Sequence, residues 1–407
     1  MSTQRIGPFL LLLSLFLITS CAGGGYVSKS RGARYAFQQG NYDNALRWYQ
    51  KQNPPARDKL LYLMDEGVIL HSAGKFNESL KIFQEAIDLS EKMEGAQVAT
   101  KAASLVTNDN FIPYQGEKFE TLLLHVFQVM NYLGLGQNNE ALVEVRRIQT
   151  KFSNYFTSNA KDYLQNAFAI YLSALVWEAN HKLNDAYIDY KTTYRLSPLL
   201  PYLPEDLLKT SSQSGLLEEY ARWKKSFKTS YAPSHKNDGE VILFLEEGRV
   251  PEKISSEINE AFQIVPVPIY PELVGEAPQI SVLVDGKETS SAFVLYRPDQ
   301  AARKTLADQK AAIVARAIAR LAAKEGAAIA VSEKVDQDLG FFLGILLLTT
   351  NRADLRSWLT LPRSFQMFKI SLPAGSHTLK IISPGGTKLL TAEVKIREKT
   401  FLSCRIF

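Results

Sequence analysis

A repeat constrains this chain more than any other feature. Gly40-Asn41-Tyr42-Asp43-Asn44-Ala45-Leu46-Arg47-Trp48-Tyr49 returns 34 residues later as Gly74-Lys75-Phe76-Asn77-Glu78-Ser79-Leu80-Lys81-Ile82-Phe83. Tyr42 aligns with Phe76, Ala45 with Ser79, Leu46 with Leu80 and Tyr49 with Phe83. A fixed period of this length marks one supersecondary unit that cannot bury its apolar face alone and must stack on its neighbours. Apolar residues three and four apart make the unit helical, and glycine tolerates the tight turn between paired helices. Ala45 and Ser79 are small enough for two helices to approach closely, while Tyr49 and Phe83 fill the gap to the next unit. In the second copy Gly67 and Ala86 are further close-packing positions.

Period and pattern together resemble the tetratricopeptide repeat, a helix-turn-helix unit. Looser copies follow. Gly136 to Leu142 repeats the turn, with Ala141 at the small site and Val145 at the aromatic one. Ala174, Trp177, Ala186 and Tyr190 keep the spacing in a fourth copy, Pro198 ends its second helix, and the turn glycine is replaced near His181. Asp206 to Leu208 and Leu216 to Phe227 suit a last helical pair turning near Gly215, and the polar, proline-broken stretch from Gly95 to Lys118 reads as an insertion. The resemblance implies a curved solenoid whose concave surface grips a peptide or another protein.

The first residues carry a different signal. Arg5 precedes an apolar run from Phe9 to Ile18, too short to cross a bilayer, and small residues end it, as in a secretory signal. Ile18-Thr19-Ser20-Cys21 is similar to the bacterial lipobox, which implies cleavage before Cys21 and covalent lipid on that cysteine. Ala22 at the following position resembles the pattern that directs lipoproteins to the outer membrane. Two or three acyl chains make such an anchor permanent, and Gly23 to Gly25 begin a flexible tether.

From Thr229 to Gly239 the chain turns polar, as a linker does, and beyond it the apolar period shifts to that of strands. Val241 to Leu245, Gln279 to Val284 and Ala292 to Tyr296 are short β-rich runs, with Asp285-Gly286 suited to a hairpin turn. Pro266, Pro268 and Pro271 predict an edge segment. Asp299 to Lys324 predicts a long helix ending near Gly326, and Leu339 to Thr350 is an apolar stretch suited to burial or to a surface contact. Four further strand-like runs reach Phe407, ending around Cys404, which reads as a buried, inert thiol.

Composition excludes some functions. The chain is 46% hydrophobic and 22% charged, which is globular, and a net charge of +5 with no dense Lys/Arg stripe argues against nucleic acid. His71, His125, His181, His235 and His377 lack metal-ligand spacing, and no nucleophile elbow, SxxK or Walker loop is present. No catalytic residue, metal or cofactor is therefore expected beyond the lipid on Cys21. The densest local chemistry is Asn351 to Pro362. There Arg352, Arg356 and Trp358 form either a partner-binding surface or a domain-closing loop with Asp354 pairing an arginine.

Lipobox, irregular repeats and C-terminal β region together resemble a group of proteobacterial tetratricopeptide-repeat lipoproteins, whose members tend to be encoded near envelope-assembly lipoproteins and peptidoglycan-synthase activators. The expected fold is α+β: a signal peptide over 1–20, a lipidated tether over 21–30, a helical repeat domain over 31–228 and a linker over 229–239. A mainly β, sandwich-like domain then fills 240–407, with a helical insertion at about 299–350. The expected function is a non-enzymatic scaffold on the periplasmic face of the outer membrane, holding another envelope protein through its repeats. The alternative is binding or modification of peptidoglycan by the C-terminal domain.

Overall fold

The computed structural model describes residues 25–95, 110, 112–157, 165–232, 235–260, 263–272, 275–334, 338, 341 and 352–407. Ile18, Thr19, Ser20, Cys21 and most of the apolar stretch 339–350 lie outside the described residues.

Eleven helices precede the first strand among the described residues, and ten of them form five hairpins: α2 (Arg31–Gln38) with α3 (Tyr42–Gln50), α4 (Lys59–Ser72) with α5 (Phe76–Gly95), α6 (Lys118–Gly134) with α7 (Asn138–Thr157), α8 (Ala167–Ala179) with α9 (Leu183–Leu196), and α10 (Leu203–Gln213) with α11 (Leu217–Phe227). A single turn, α1 (Tyr26–Lys29), precedes them. Every hairpin turns on one left-handed residue, at φ +73° for Gly40, +72° for Gly74, +71° for Gly136, +58° for His181 and +73° for Gly215. The next N–H then reaches back to a carbonyl five residues earlier: Asn41 to Ala36, Lys75 to Leu70, Gln137 to Tyr132, Lys182 to Trp177 and Leu216 to Ser211, at 2.8–2.9 Å. These Schellman caps satisfy the carbonyls that a helix end leaves unpaired. The helical half is therefore a TPR-like array.

The chain divides into two compact units between Gln52 and Asn53. In the first, Phe37, Ala45, Leu46 and Tyr49 are buried, and the Tyr26 and Tyr49 hydroxyls stand 3.4 Å apart. In the second, each hairpin packs on the next. A Cβ on Gly67 would lie 2.7 Å from the Phe83 ring, and one on Gly134 would lie 2.7 Å from the Phe76 ring. Both glycines are places where an aromatic ring from a partner helix takes the space of a side chain. Ser79 donates to Gly67 O at 2.9 Å and accepts from Asn131 at 2.9 Å, so the small position also stitches two hairpins together. Ala86, Ala141, Ala186 and Tyr190 are fully buried between helices, and Pro198 follows the end of α9.

The β region has a sheet ordered β10 (Lys399–Ile406), β1 (Asp238–Glu247), β7 (Ser364–Pro373), β6 (Phe293–Tyr296) and a second ordered β5 (Lys287–Ser291), β4 (Ser281–Val284), β8 (Gly375–Ser383), β9 (Gly386–Val394). A hairpin of β2 (Ile254–Glu260) and β3 (Gln263–Ile269) stands apart. β1 runs parallel to β10 and antiparallel to β7, and it is buried along nearly its whole length. Val241, Leu243 and Leu245 face the second sheet, in a core with Val282, Leu379, Ile381, Ala392 and Cys404. The two sheets thus stack as a sandwich. Asp285 and Gly286, both at positive φ, turn β4 into β5.

The long helix α12 (Pro298–Lys334) packs Ala317 and Leu321 on Val265 and Val267 of β3. It does not stop near Gly326 as its sequence suggests. Alanine and isoleucine on both sides propagate a helix well enough to absorb the ~1 kcal/mol that an interior glycine costs.

The other face of β1 is covered by the helices. Phe168 of α8 lies 5.7 Å from Phe244 and 4.8 Å from Phe365, and Phe127 of α6 lies 5.8 Å from Phe365. The helices from Lys59 onward and both sheets therefore form one body, although the polar segment 229–239 reads as a boundary between two. The physical reason is reciprocal burial: the inner helices and the first sheet each have two apolar faces, and each covers the second face of the other.

Candidate binding surfaces

The inner helices of the second unit line a groove that the resemblance assigns to a partner. In α8 every residue from Ala167 to Glu178 is buried, and in α4 eleven of fourteen are. A helix apolar all round is a central one, and here the chain itself supplies the cover. The stretch 354–361 lies against α4 and α6 before β7 continues over the helices. Trp358 is 1% exposed, its ring 5.7 Å from Phe127 and 6.2 Å from Phe83, and its backbone N–H donates to Glu120 Oε1 at 3.1 Å. Thr360 donates to Asp65 Oδ1 through its N–H at 2.9 Å and its hydroxyl at 2.8 Å. The backbone of this stretch is held by carboxylates on the groove, much as an extended peptide would be.

Arg356 is 7% exposed. Its Nε and Nη2 donate to Asp354 at 2.9 and 2.7 Å, and its Nη1 donates to Asp58 Oδ1 at 3.2 Å and Ile112 O at 2.9 Å. Burial works against ionisation of Asp354, but the Arg356 guanidinium outweighs it and holds the carboxyl below its ordinary value. Arg356 and Trp358 are thus closing elements inside the protein and do not form an exposed partner surface. A tryptophan amid apolar helices gains more from burial than from display. Arg352 alone of the three is exposed.

Two buried polar networks tie helices to sheet. In one, His71 Nδ1 is 2.6 Å from Asn131 Oδ1, and its Nε2 is 2.8 Å from Glu246 Oε1 on β1. Burial pushes the Glu246 carboxyl up, and His71 and Arg405 pull it further down. In the other, Glu178 and Asp206 on helices and Glu240 on β1 alternate with Lys209, Lys369 and Lys399. Lys209 and Lys399 approach Glu178 at 2.7 and 3.2 Å, Lys369 binds Asp206, and Lys399 binds Glu240. The Tyr171 and Tyr190 hydroxyls donate to Asp206 and Glu178 at 2.5 and 2.6 Å. Burial opposes ionisation of Glu178, yet Lys399 and Lys209 bring it down to about 2. Three carboxylates against three ammoniums leave no net charge to solvate, so the cluster acts as a clamp. Only Lys209 of the six charged side chains reaches solvent appreciably, with 21% of its side chain exposed.

An open feature lies beside the closed groove. The loop 112–117, the β2–β3 hairpin, α12 and residues 352–356 enclose a cleft of about 360 Å³. Five cationic side chains line it, Lys253, Arg316, Arg320, Arg352 and Arg356, against the carboxylates Glu117 and Asp354. Asp354 is engaged by Arg356, and Glu117 accepts from Gln309 at 2.9 Å. Lys253 donates to Arg356 O at 3.0 Å and stands 5.8 Å from the Tyr270 ring. Among the described residues, the Arg316 and Arg352 side chains pair with no carboxylate. Beside the cleft and sharing Pro268, Leu306 and Ile313 with it, an apolar pocket of about 220 Å³ is lined by Val267, Ile269, Tyr270 and Ala307.

The cleft cations other than Arg352 and Arg356 were missed from sequence. One signal was available: Gln309, Ile313, Arg316 and Arg320 follow a 4-3-4 spacing and share a helix face. Lys253 and the 112–117 loop gave none, because only the fold brings them to α12. Among the described residues no group of three His, Cys, Asp or Glu side chains could hold a metal ion, and no helix is long and apolar enough to cross a membrane. The Cys404 thiol is buried, and burial raises it to about 11.

No family model matches the chain, and no curated protein matches it. Several solved structures match it in part. MamA from Desulfovibrio magneticus RS-1 aligns over 51% of this chain and 94% of its own, at 13% identity and a TM-score of 0.35. A set of nearly identical TPR-like repeats from Podospora anserina aligns over 50% and 96%, at 12% identity and a TM-score of 0.33. The Rap conjugation gene regulator of plasmid pLS20, solved in complex with the Phr* peptide, aligns over 48% and 52%, at 16% identity and a TM-score of 0.28. The TPR-like character of the helical half rests on its own five hairpins.

Proposed function

We propose that this chain is a lipid-anchored, non-enzymatic binding protein of the bacterial envelope. Lipid on Cys21 holds it at the periplasmic face of the outer membrane, and its function is to hold another envelope protein there. The non-enzymatic reading comes from the sequence, which carries no recognisable catalytic constellation. The observation that carries the binding reading is the cleft. The inner groove is filled by the chain's own 354–361 stretch and first sheet, whereas the cleft beside it is open, concave and lined by five cations, of which Arg316 and Arg352 pair with no carboxylate among the described residues. Concave sites with a few convergent polar groups are where ligands bind.

The binding reading is tested with a photo-crosslinking residue at Ala312, on the cleft wall, and at Ile188, exposed on α9. In intact cells one envelope protein is expected to crosslink from Ala312 and not from Ile188. The same adducts from both positions, or none from Ala312, would count against it. Anchoring is tested separately: Cys21→Ala should move the protein from the membrane to the soluble fraction, and retention after a high-salt wash would overturn that part.

A further inference from the structure

The cleft and its apolar annex also define what they recognise. We infer that they bind an acidic, extended segment of the partner protein that carries an apolar side chain next to its carboxylates. The inference deepens the binding reading above and rests on it.

Three observations carry it. The first is charge: the cleft walls hold five cations and two carboxylates, and once Arg356 and Asp354 are set aside as a pair, four cations face Glu117 alone, whose carboxylate accepts a hydrogen bond from Gln309. Arg316 and Arg352, with no carboxylate partner among the described residues, stand where an incoming acidic side chain would meet them. Opposed charges steer encounter and set register, and arginine takes a carboxylate with two parallel hydrogen bonds.

The second is the annex. Val267, Ile269, Leu306 and Ile313, with Arg303 and Lys310 at its margin, enclose about 220 Å³, and this pocket adjoins the cleft, sharing Pro268, Leu306 and Ile313 with it. An apolar side chain placed there leaves its neighbouring carboxylates beside the cations.

The third is the wall between them. β3 contains Pro266 and Pro268, which have no N–H to donate, and within sheets proline is confined to edges or bulges. A partner in the cleft therefore cannot add a full strand to the β3 edge, and recognition there falls to side chains.

The test uses the full-length chain in detergent and three fluorescein-labelled decapeptides followed by anisotropy. One alternates glutamate and leucine, one has glutamine at every glutamate, and one has serine at every leucine. The first should bind, the glutamine peptide should bind at least about tenfold more weakly, and the serine peptide should lose affinity by a similar factor. Combining Arg316→Glu with Arg352→Glu should weaken the first peptide about tenfold or more, while Arg222→Glu, on α11, should leave it unchanged. Equal binding of all three peptides, insensitivity to the paired arginine variant, or binding of purified peptidoglycan with none of the peptides would overturn the inference. Failure of the binding reading would look different: no envelope protein crosslinks from Ala312 at all.

Discussion

His181 sits where the other four hairpins have glycine, at φ +58°, and its side chain is exposed. A left-handed conformation costs a residue with a Cβ roughly 1–2 kcal/mol, part of which glycine gives back through a more flexible unfolded chain. His181→Gly should therefore raise stability by about 0.5–1 kcal/mol in urea melts, and Gly74→Ala should lower it by a comparable amount. No change in either variant would mean that the turns are not under strain. Asp189 is the opposite kind of residue. Its Oδ2 accepts from Gln149 at 2.8 Å and Trp177 at 3.1 Å, and burial pushes its carboxyl up to about 7 against those two bonds. The native state thus holds a proton that the unfolded chain releases near 3.8. Stability from this group is present at low pH and lost as pH rises towards about 7. Asp189→Asn should remove that loss, so its stability relative to wild type should grow by roughly 2–3 kcal/mol between about pH 5 and pH 8. A difference that stays flat with pH would contradict the burial argument. The turn glycines were legible in the sequence because their role is local; Asp189 was not, because a single aspartate in a helix is ordinarily solvated.

At the scale of elements, the stretch 354–361 is the most informative. Its sequence allowed both a display surface and a closing loop, and the inner helices decide between them by surrounding Trp358 with Phe83 and Phe127. Trp358→Ala should cost about 3–5 kcal/mol, as truncations of buried large aromatics do. Trp358→Phe should cost far less, since the indole Nε1 has no hydrogen-bond partner among the described residues and the ring contacts survive. Chemical denaturation of both variants checks this, and equal losses would show that the indole nitrogen matters after all. The inner helices themselves carried a readable warning. Ala167 to Ala179 has a single charged residue and no polar face, so a groove lined by it could not stay open to water. The repeat pattern marked where helices pair, but the pattern of the paired faces says nothing about what covers the third.

For the whole molecule, the reciprocal cover between helices and sheet makes folding interdependent from Lys59 onward. A fragment ending near residue 232 would expose the faces that Phe244, Phe365 and Trp358 now fill, and would leave Glu178 and Asp206 without Lys399 and Lys369. Expressed alone, residues 53–232 should aggregate or lack a cooperative melt. A monomeric fragment with native helix content would disprove that. What the sequence by itself determined is the local order: five glycine-type turns, helices of repeat length, the strands and the sandwich they form, and the text around Cys21 from which anchoring is proposed. Those follow from backbone sterics and from apolar periodicity over a few residues. Only the tertiary structure decided that the groove is filled from within, that Arg356 and Trp358 are buried, and that Arg316, Arg352 and Lys253 meet in one cleft. Each of these depends on residues more than 50 positions apart in the chain or on which of two apolar faces finds a cover. No periodicity along the sequence records that choice.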